Sequence, residues 1–466
     1  MLLDHLFTLA GFLLAVILVV RVLGEKRPPG GAMAWLLAIV LVPWIGVPFY
    51  LVFGGRKLHQ RIREKGPLYS PGDDSQFDAE DVMTGGPGMM GPGMPPPQSG
   101  NRADLHFSGE TAYARVMRMF EDARETIHVT TFILGHDEVG RAVIDTLARK
   151  AREGVQVRLL LDGLGCIRTS RRFAAPLRRA GGQVGRFMPV LPLHRKWSAN
   201  LRNHRKIIVV DHAAAMVGGM NLATDFMGPT PRENRFLDSA VFVEGPIVAD
   251  IESVFISDWK YATDERLEVP PHAHSLARQR TDGDAQAVST LRIVASGPDV
   301  PEDTFPDALL SEVMQSRERI WLVTPYFIPD DAFLRVLAVQ ARAGRDVRVT
   351  VPLVSNHRIA DLARGPALRD LIAAGGRVYA YPKGMVHGKA MIFDHRLAIT
   401  GTPNLDMRSL YLNFELALFH YTRPEIEKTA AWAAWLQAQS VHLTGKKPAP
   451  LREWAEHLCH VLSPLL

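Results

Sequence analysis

Two copies of one short motif carry the chemistry that can be read from this chain. Asn203-His204-Arg205-Lys206-Ile207-Ile208-Val209-Val210-Asp211 and Val386-His387-Gly388-Lys389-Ala390-Met391-Ile392-Phe393-Asp394 share the pattern H-x-K-x-x-x-x-D. The match continues downstream, with Gly218 and Gly401 each fourteen residues past their histidine and Asn221 and Asn404 each seventeen past. Lys206 and Lys389 are point charges with three donors each, and Asn221 and Asn404 add amide donors after a glycine turn, a set that suits the oxygens of a phosphate. Two imidazoles allow divided labour: one attacks phosphorus to form a phosphohistidine, while the other protonates the leaving oxygen and then deprotonates the acceptor. Such chemistry calls for no metal and no cofactor. The motif places Asp211 and Asp394 in the catalytic set with the histidines and lysines. Along an extended chain, however, residues i and i+2 share a face and i+7 points the other way. That geometry favours a structural anchor for neighbouring backbone.

The elements needed to position these residues also occur twice. In each half an amphipathic helix, Ala112 to Ile127 or Phe305 to Ile320, runs into an apolar strand, His128 to Ile133 or Trp321 to Phe327. A helix, a glycine stop and a strand follow, around Gly154 and again around Gly344. A third helix closes at Gly181-Gly182 and at Gly375-Gly376, and the motif strand comes next. Strands alternating with helices predict an α/β fold made of two similar units. The expected division is a helical hairpin over 1–55, a basic segment and linker over 56–102, and the two units over 103–285 and 286–466. The Met-, Gly- and Pro-rich run from Gly85 to Pro97 reads as a flexible tether.

Composition agrees with a globular body: apolar residues are 47% and charged residues 22%, which excludes a largely disordered chain. A net charge of +5 suits anionic partners. Cys166 and Cys459, far apart in sequence, exclude a disulfide framework and offer no zinc-site spacing. Ahead of the linker, His5 to Val20 and Pro28 to Gly55 carry no Asp, Glu, Lys or Arg. A helix of roughly 20 residues crosses the hydrocarbon core of a bilayer, so the two stretches predict a transmembrane hairpin. Arg56, Lys57, Arg61, Arg63 and Lys65 follow it and outnumber the basic residues of the connecting loop, which places the main body on the cytoplasmic side.

The paired motifs resemble those of the phospholipase D superfamily and, within it, the bacterial cardiolipin synthases. The likeness extends to the N-terminal hairpin, to Thr324-Pro325-Tyr326-Phe327-Ile328-Pro329-Asp330, to Gly401-Thr402-Pro403-Asn404 followed by Asn413-Phe414-Glu415, and to the ending Ser463-Pro464-Leu465-Leu466. It implies two phospholipase D-like α/β domains related by pseudo-twofold symmetry. It further implies a multi-pass enzyme of the bacterial inner membrane that joins two phosphatidylglycerol molecules into cardiolipin and releases glycerol. Its partners would be phosphatidylglycerol, other anionic phospholipids and the membrane, with no nucleic acid. The resemblance also implies an acidic residue downstream of each motif that orients a catalytic histidine, at Asp238 and Glu415. The chain departs from the pattern at Arg235-Phe236-Leu237-Asp238 and in its long linker, and His136-Asp137 reads as loop. Two other readings remain open at this point: a phospholipase D releasing phosphatidic acid, and a non-catalytic protein that binds anionic lipid.

Overall fold

A computed structural model of the chain describes residues 14–24, 29–44, 46–47, 50, 65–68, 94–169, 172–190, 196, 198, 200–269, 281, 288–300 and 303–461. The first half contains β1 (Gln98–His106), β2 (Thr126–Thr131), β3 (Gln156–Asp162), β4 (Gln183–Phe187), β5 (Ile207–Val210), β6 (Ala214–Gly218) and β7 (Ala240–Glu244). The second contains β8 (Ser289–Ser296), β9 (Arg319–Val323), β10 (Phe327–Ile328), β11 (Asp346–Pro352), β12 (Arg377–Tyr381), β13 (Ala390–Phe393), β14 (Leu397–Gly401), β15 (Leu405–Asp406), β16 (Glu415–His420) and β17 (Val441–Leu443). Apart from the short pair β10 and β15, the described strands form one 15-stranded sheet in the order β17-β12-β11-β9-β13-β14-β16-β8-β1-β7-β6-β5-β2-β3-β4. From its middle the order runs β1-β7-β6-β5-β2-β3-β4 one way and β8-β16-β14-β13-β9-β11-β12 the other. The halves are therefore related by a pseudo-twofold between β1 and β8, which pair antiparallel.

The helices are α1 (Pro29–Leu41), α2 (Gly109–Asp122), α3 (Glu138–Arg152), α4 (Ala175–Arg179), α5 (Ile247–Thr263), α6 (Thr304–Gln315), α7 (Asp331–Arg342), α8 (Arg358–Ala363), α9 (Gly365–Ala373), α10 (Met407–Tyr411), α11 (Arg423–Ala438) and α12 (Pro450–Val461). Both faces of the sheet are covered, and the motif strands show it by alternation. Ile208 and Val210 face the core under α2 and α3, while Ile207 and Val209 face the core under α5. That two-sided burial is why the motif runs are continuously apolar. Asp137 caps α3, accepting from Gly140 N at 2.9 Å, and its other oxygen accepts from Thr224 N at 2.9 Å.

Several boundaries differ from the sequence expectation, and the motif aspartates account for two of them. Asp211 lies in the β5–β6 turn at φ 51°, and its carboxylate accepts the backbone amides of Arg124, Glu125 and Thr126 at 2.7 to 2.9 Å. Asp394, at φ 52°, holds the amides of Arg317, Glu318 and Arg319 in the same way. Capturing three successive amides stops the helix before residue 123 and starts β2 at Thr126, so the helices are shorter and the strands earlier than periodicity suggests. The first unit also begins earlier, since β1 opens at Gln98 inside the expected linker.

At the N-terminus residues 14–24 are helical and pack against α1 through Leu18, Val22 and Ile39. No helix among the described residues is long and apolar enough to cross a membrane. The outer parts of both expected spans, the loop at 25–28, the basic positions 56–63, the linker run 69–93 and the ending 463–466 lie outside the described residues. Residues 65–68 are described, and they are docked on the body: Leu68 N donates to Asp299 O at 2.8 Å.

Because hydrogen bonds to a charged acceptor contribute about 1.5–3 kcal/mol, Asp211→Ala and Asp394→Ala should each destabilise the fold by about 2 kcal/mol or more. Asn at either site should cost less, since it tolerates positive φ. Unfolding midpoints of the purified chain check this; an equally stable but inactive variant would return these aspartates to the chemistry.

Candidate active site

His204 and Lys206 lie just ahead of β5, and His387 and Lys389 just ahead of β13, at the end of each strand away from the aspartate turn. Asp211 and Asp394, placed in the catalytic set by the motif, are therefore not brought to the histidines. Their carboxylates are occupied by backbone at the far end of the strand.

The two halves exchange carboxylates. Glu415, from the second half, accepts from His204 Nδ1 at 2.9 Å, and Asp238, from the first half, accepts from His387 Nδ1 at 2.6 Å. A carboxylate only accepts, so each Nδ1 must carry the proton, which leaves the Nε2 lone pair of a neutral ring free to act as a nucleophile or base. The crossing is built into the backbone. His204 N donates to Phe414 O at 2.9 Å and His387 N to Leu237 O at 2.7 Å, so each histidine segment pairs with the residue before the other half's acid.

The glycines of the extended pattern have a role here. A Cβ at Gly218 would lie 2.7 Å from Ala240 Cα, and one at Gly401 would lie 2.9 Å from Ala417 Cα. The lack of a Cβ lets β7 and β16 approach and bring in Asp238, just ahead of β7, and Glu415, the first residue of β16. The acids differ in reach and support. Beside the longer Glu415, Thr402 Oγ1 donates to Oε2 at 2.5 Å, whereas beside Asp238 the equivalent position is Gly219, where a Cβ would collide with the carboxylate.

Both lysines are buried with the histidines. Lys206 Nζ donates to His204 O at 2.7 Å and lies 5.4 Å from the Phe132 ring centroid. Lys389 Nζ donates to His387 O and stands 2.8 Å from His387 Nδ1 and 3.2 Å from Nε2. Asn221 is buried, and its Oδ1 accepts from Ile133 N at 3.0 Å, which turns the amide donors away from that contact. Asn404 lines a cavity of about 110 Å³ with Tyr326, Ile328 and His357.

Burial governs the electrostatics. It lowers His204, with Glu415 opposing and Lys206 reinforcing, and together with Lys389 it pushes His387 down to about 3. Burial also pushes Lys206 down to about 7 and Lys389 to about 8. It works against the Asp238 and Glu415 carboxylates too, but the adjacent imidazoles and lysines carry both below their ordinary range. Two ammonium groups against two carboxylates leave a neutral site, and a phosphodiester anion added to it would favour every protonated cation.

A second buried cluster lies behind His204 and was missed in the sequence. Lys65 was grouped with the juxtamembrane basic residues, yet its side chain is fully buried, 2.6 Å from Asp299 and 3.0 Å from Asp258. Arg205, the variable residue of the first motif, joins the same aspartates at 2.8 and 3.1 Å. Burial alone would raise Asp299, but Arg205 and Lys65 hold it below its usual value. Both cations sit against the Phe414 ring, whose backbone carries the His204 segment. Only the lysine's distance from the hairpin could have hinted at this, and that is not distinctive. Removing one partner of a buried ion cluster costs about 3–5 kcal/mol, so Lys65→Met should lower the unfolding midpoint sharply and Lys65→Arg much less. An unchanged midpoint would remove Lys65 from the seam.

The geometry agrees with what the chain is similar to. Residues 116–259 and 309–437 match the family described as cardiolipin synthase, PLD-like domain, and residues 13–55 match phospholipase D-nuclease N-terminal. A cardiolipin synthase of Alkalihalophilus pseudofirmus is 32% identical over 91% of this chain and 86% of its own length. One from Geobacillus kaustophilus is 31% identical over 95% of this chain and 90% of its own. Among solved structures, phosphatidylserine synthase of Haemophilus influenzae shares the fold at a TM-score of 0.59 and 15% identity, over 78% of this chain and 95% of that one. With both halves and the N-terminal segment matched, the chain belongs to the PLD-like cardiolipin synthase family.

Proposed function

We propose that this enzyme makes cardiolipin from two phosphatidylglycerol molecules through a phosphohistidine. The observation that carries the reading is the crossed pairing of His204 with Glu415 and His387 with Asp238, which gathers both motifs into one site. Nε2 of one imidazole attacks phosphorus, the bond from phosphorus to the glycerol oxygen breaks, and the other imidazole supplies the proton that leaves with glycerol. The glycerol hydroxyl of a second phosphatidylglycerol then gives its proton to that imidazole and attacks phosphorus, freeing the first histidine. Lys206, Lys389, Asn221 and Asn404 serve as the donors for the phosphoryl oxygens, and Asp238 and Glu415 stabilise whichever imidazole is charged.

The N-terminal segment 1–55 is the anchor in this reading, a helical hairpin in the bacterial inner membrane with both catalytic units on the cytoplasmic side. The packing of residues 14–24 on α1 supports it. We divide the catalytic body near residue 285, ahead of β8.

Labelled phosphatidylglycerol in mixed micelles should give cardiolipin and glycerol, and excess glycerol should drive the reaction back, since one phosphodiester is exchanged for another. Phosphatidic acid as the main product would make the enzyme a hydrolase, and tight lipid binding without turnover would make it a binding protein. His204→Ala and His387→Ala should each lose at least about a thousandfold in rate; near-normal turnover in either sinks the shared site.

The pH profile should be bell-shaped, because the attacking imidazole must be neutral on the acid side and the lysines that face the phosphate must be charged on the alkaline side. In the free site the alkaline limb should fall near the lysine values of about 7 and about 8. Bound phosphodiester favours the ammonium forms, so the limb in kcat should lie about one unit or more above that in kcat/KM. Coincident limbs would show that the lysines do not face the phosphate.

A further inference from the structure

Exposed apolar side chains gather at the end of the sheet that carries the histidines. β3 and β11 are equivalent strands of the two halves, and the loop after each presents large apolar residues to solvent. Ile167 is 62% and Val354 67% exposed, with Leu164 and Leu353 beside them. β5 runs antiparallel to β2, and β2 parallel to β3, so the loop after β3 and the His204 segment share one edge of the sheet. The same holds for β13, β9 and β11.

In the second half α12 enlarges this rim. Its inward face is fully partnered: Glu456 binds Arg369 at 2.5 Å and Arg452 at 3.0 Å, and His460 Nδ1 reaches Ala363 O at 3.2 Å. Cys459 packs on the small cluster of Ile328, Ala360 and Ala363, and Ile328 and Ala360 also line the cavity that holds Asn404. The helix therefore stands on the wall of the site. Its outward face repeats at i, i+3 and i+7 as Leu451, Trp454 and Leu458, with Leu451 80% and Trp454 65% exposed. Leu353 of the loop and Arg452 of the helix line one cavity of about 350 Å³, which joins the two features into one surface.

The charge around this surface is predominantly positive, with Glu453 of α12 the exception. Arg168, Arg358, Lys446 and Lys447 are exposed around it, while the acid Asp361 is paired with Arg364, and Glu456 with Arg369 and Arg452. An amphipathic helix with Trp and Leu outward and cations at its flank has the composition of an element that lies in a lipid interface.

We propose that this rim, formed by the loops after β3 and β11 and by the outer face of α12, docks flat on an anionic phospholipid bilayer and turns the active-site mouth toward it. The inference deepens the reading of a phospholipid substrate and rests on it. A docked rim lets a lipid phosphodiester reach the histidines while its acyl chains remain in the bilayer, and it covers the mouth against water during transfer. A second copy of the chain would meet the same cations with its own, which disfavours it as the occupant.

The test uses the full chain, with Cys166→Ala and Cys459→Ala, reconstituted into phosphatidylethanolamine–phosphatidylglycerol vesicles. Spin labels are placed singly at Ile167→Cys, Val354→Cys and Leu451→Cys, all exposed positions, and at His395→Cys at the opposite end of the sheet. The three rim labels should show a severalfold higher ratio of oxygen to water-soluble nickel-chelate accessibility than the label at 395. Lys446→Glu with Lys447→Glu should lower that ratio at 451. Water-like rim labels in protein that still forms cardiolipin would overturn the docking and leave the proposed reaction standing. Immersed labels without turnover would overturn the reaction and leave the docking. Dipolar broadening between labels on different copies would replace the bilayer with a second chain and overturn the proposal.

Discussion

Each motif imidazole depends on a carboxylate that its own half does not supply. Separated, the first half would hold His204 against no acid and bury Asp238 beside no imidazole, and the second half would suffer the converse. An unpartnered buried carboxylate is costly enough that neither half can hold its site alone. The rest of the architecture serves this exchange. β1 and β8 join the two halves of the sheet, Gly218 and Gly401 let β7 and β16 close in with the acids, and Phe414 and Leu237 present their carbonyls to the histidine amides of the other half.

The same burial that demands pairing also sets the chemistry. Lys206 and Lys389 are nearly fully buried next to His204 and His387, so the empty site keeps its cations at the margin of protonation. Such an arrangement stabilises the fold little. Buried cations so poised suit an anion, whose arrival would favour the ammonium forms. In the proposed reaction, recognition of the phosphodiester and activation of the site are thus one electrostatic event.

How much of this was legible in the sequence follows the range of the interactions. The paired His, Lys and Asn positions, the α/β alternation and the glycine stops are local or repeated, and a repeat makes spacing informative. The strand-face argument separated Asp211 and Asp394 from the histidines, although the motif had grouped them together. It did not foresee that their capture of three amides each would shorten the preceding helices, because that contact spans about 85 residues in the first half. The crossing of Glu415 and Asp238 was illegible for a similar reason: a tandem repeat suggests that each half completes itself, and only the three-dimensional join shows otherwise. Lys65 was hidden by company, since a lysine in a basic juxtamembrane run looks like its neighbours until its partners are in view.

Lys65 also changes what the linker does. The Met-, Gly- and Pro-rich run had the composition of a tether between membrane and enzyme, but residues 65–68 are already fixed in the seam between the halves, next to Phe414 and the His204 segment. At the end of that run Met94 is buried against the second half, and β1 opens at Gln98. If the anchor ends at residue 55, only nine residues separate it from the seam, and nine residues extend to about 30 Å at most. A body held that closely to the proposed anchor could not turn freely, which would restrict the face it presents to a bilayer. Lys65 enters the seam beside the His204 segment, which in the proposed reaction places the constraint on orientation where lipid transfer needs it.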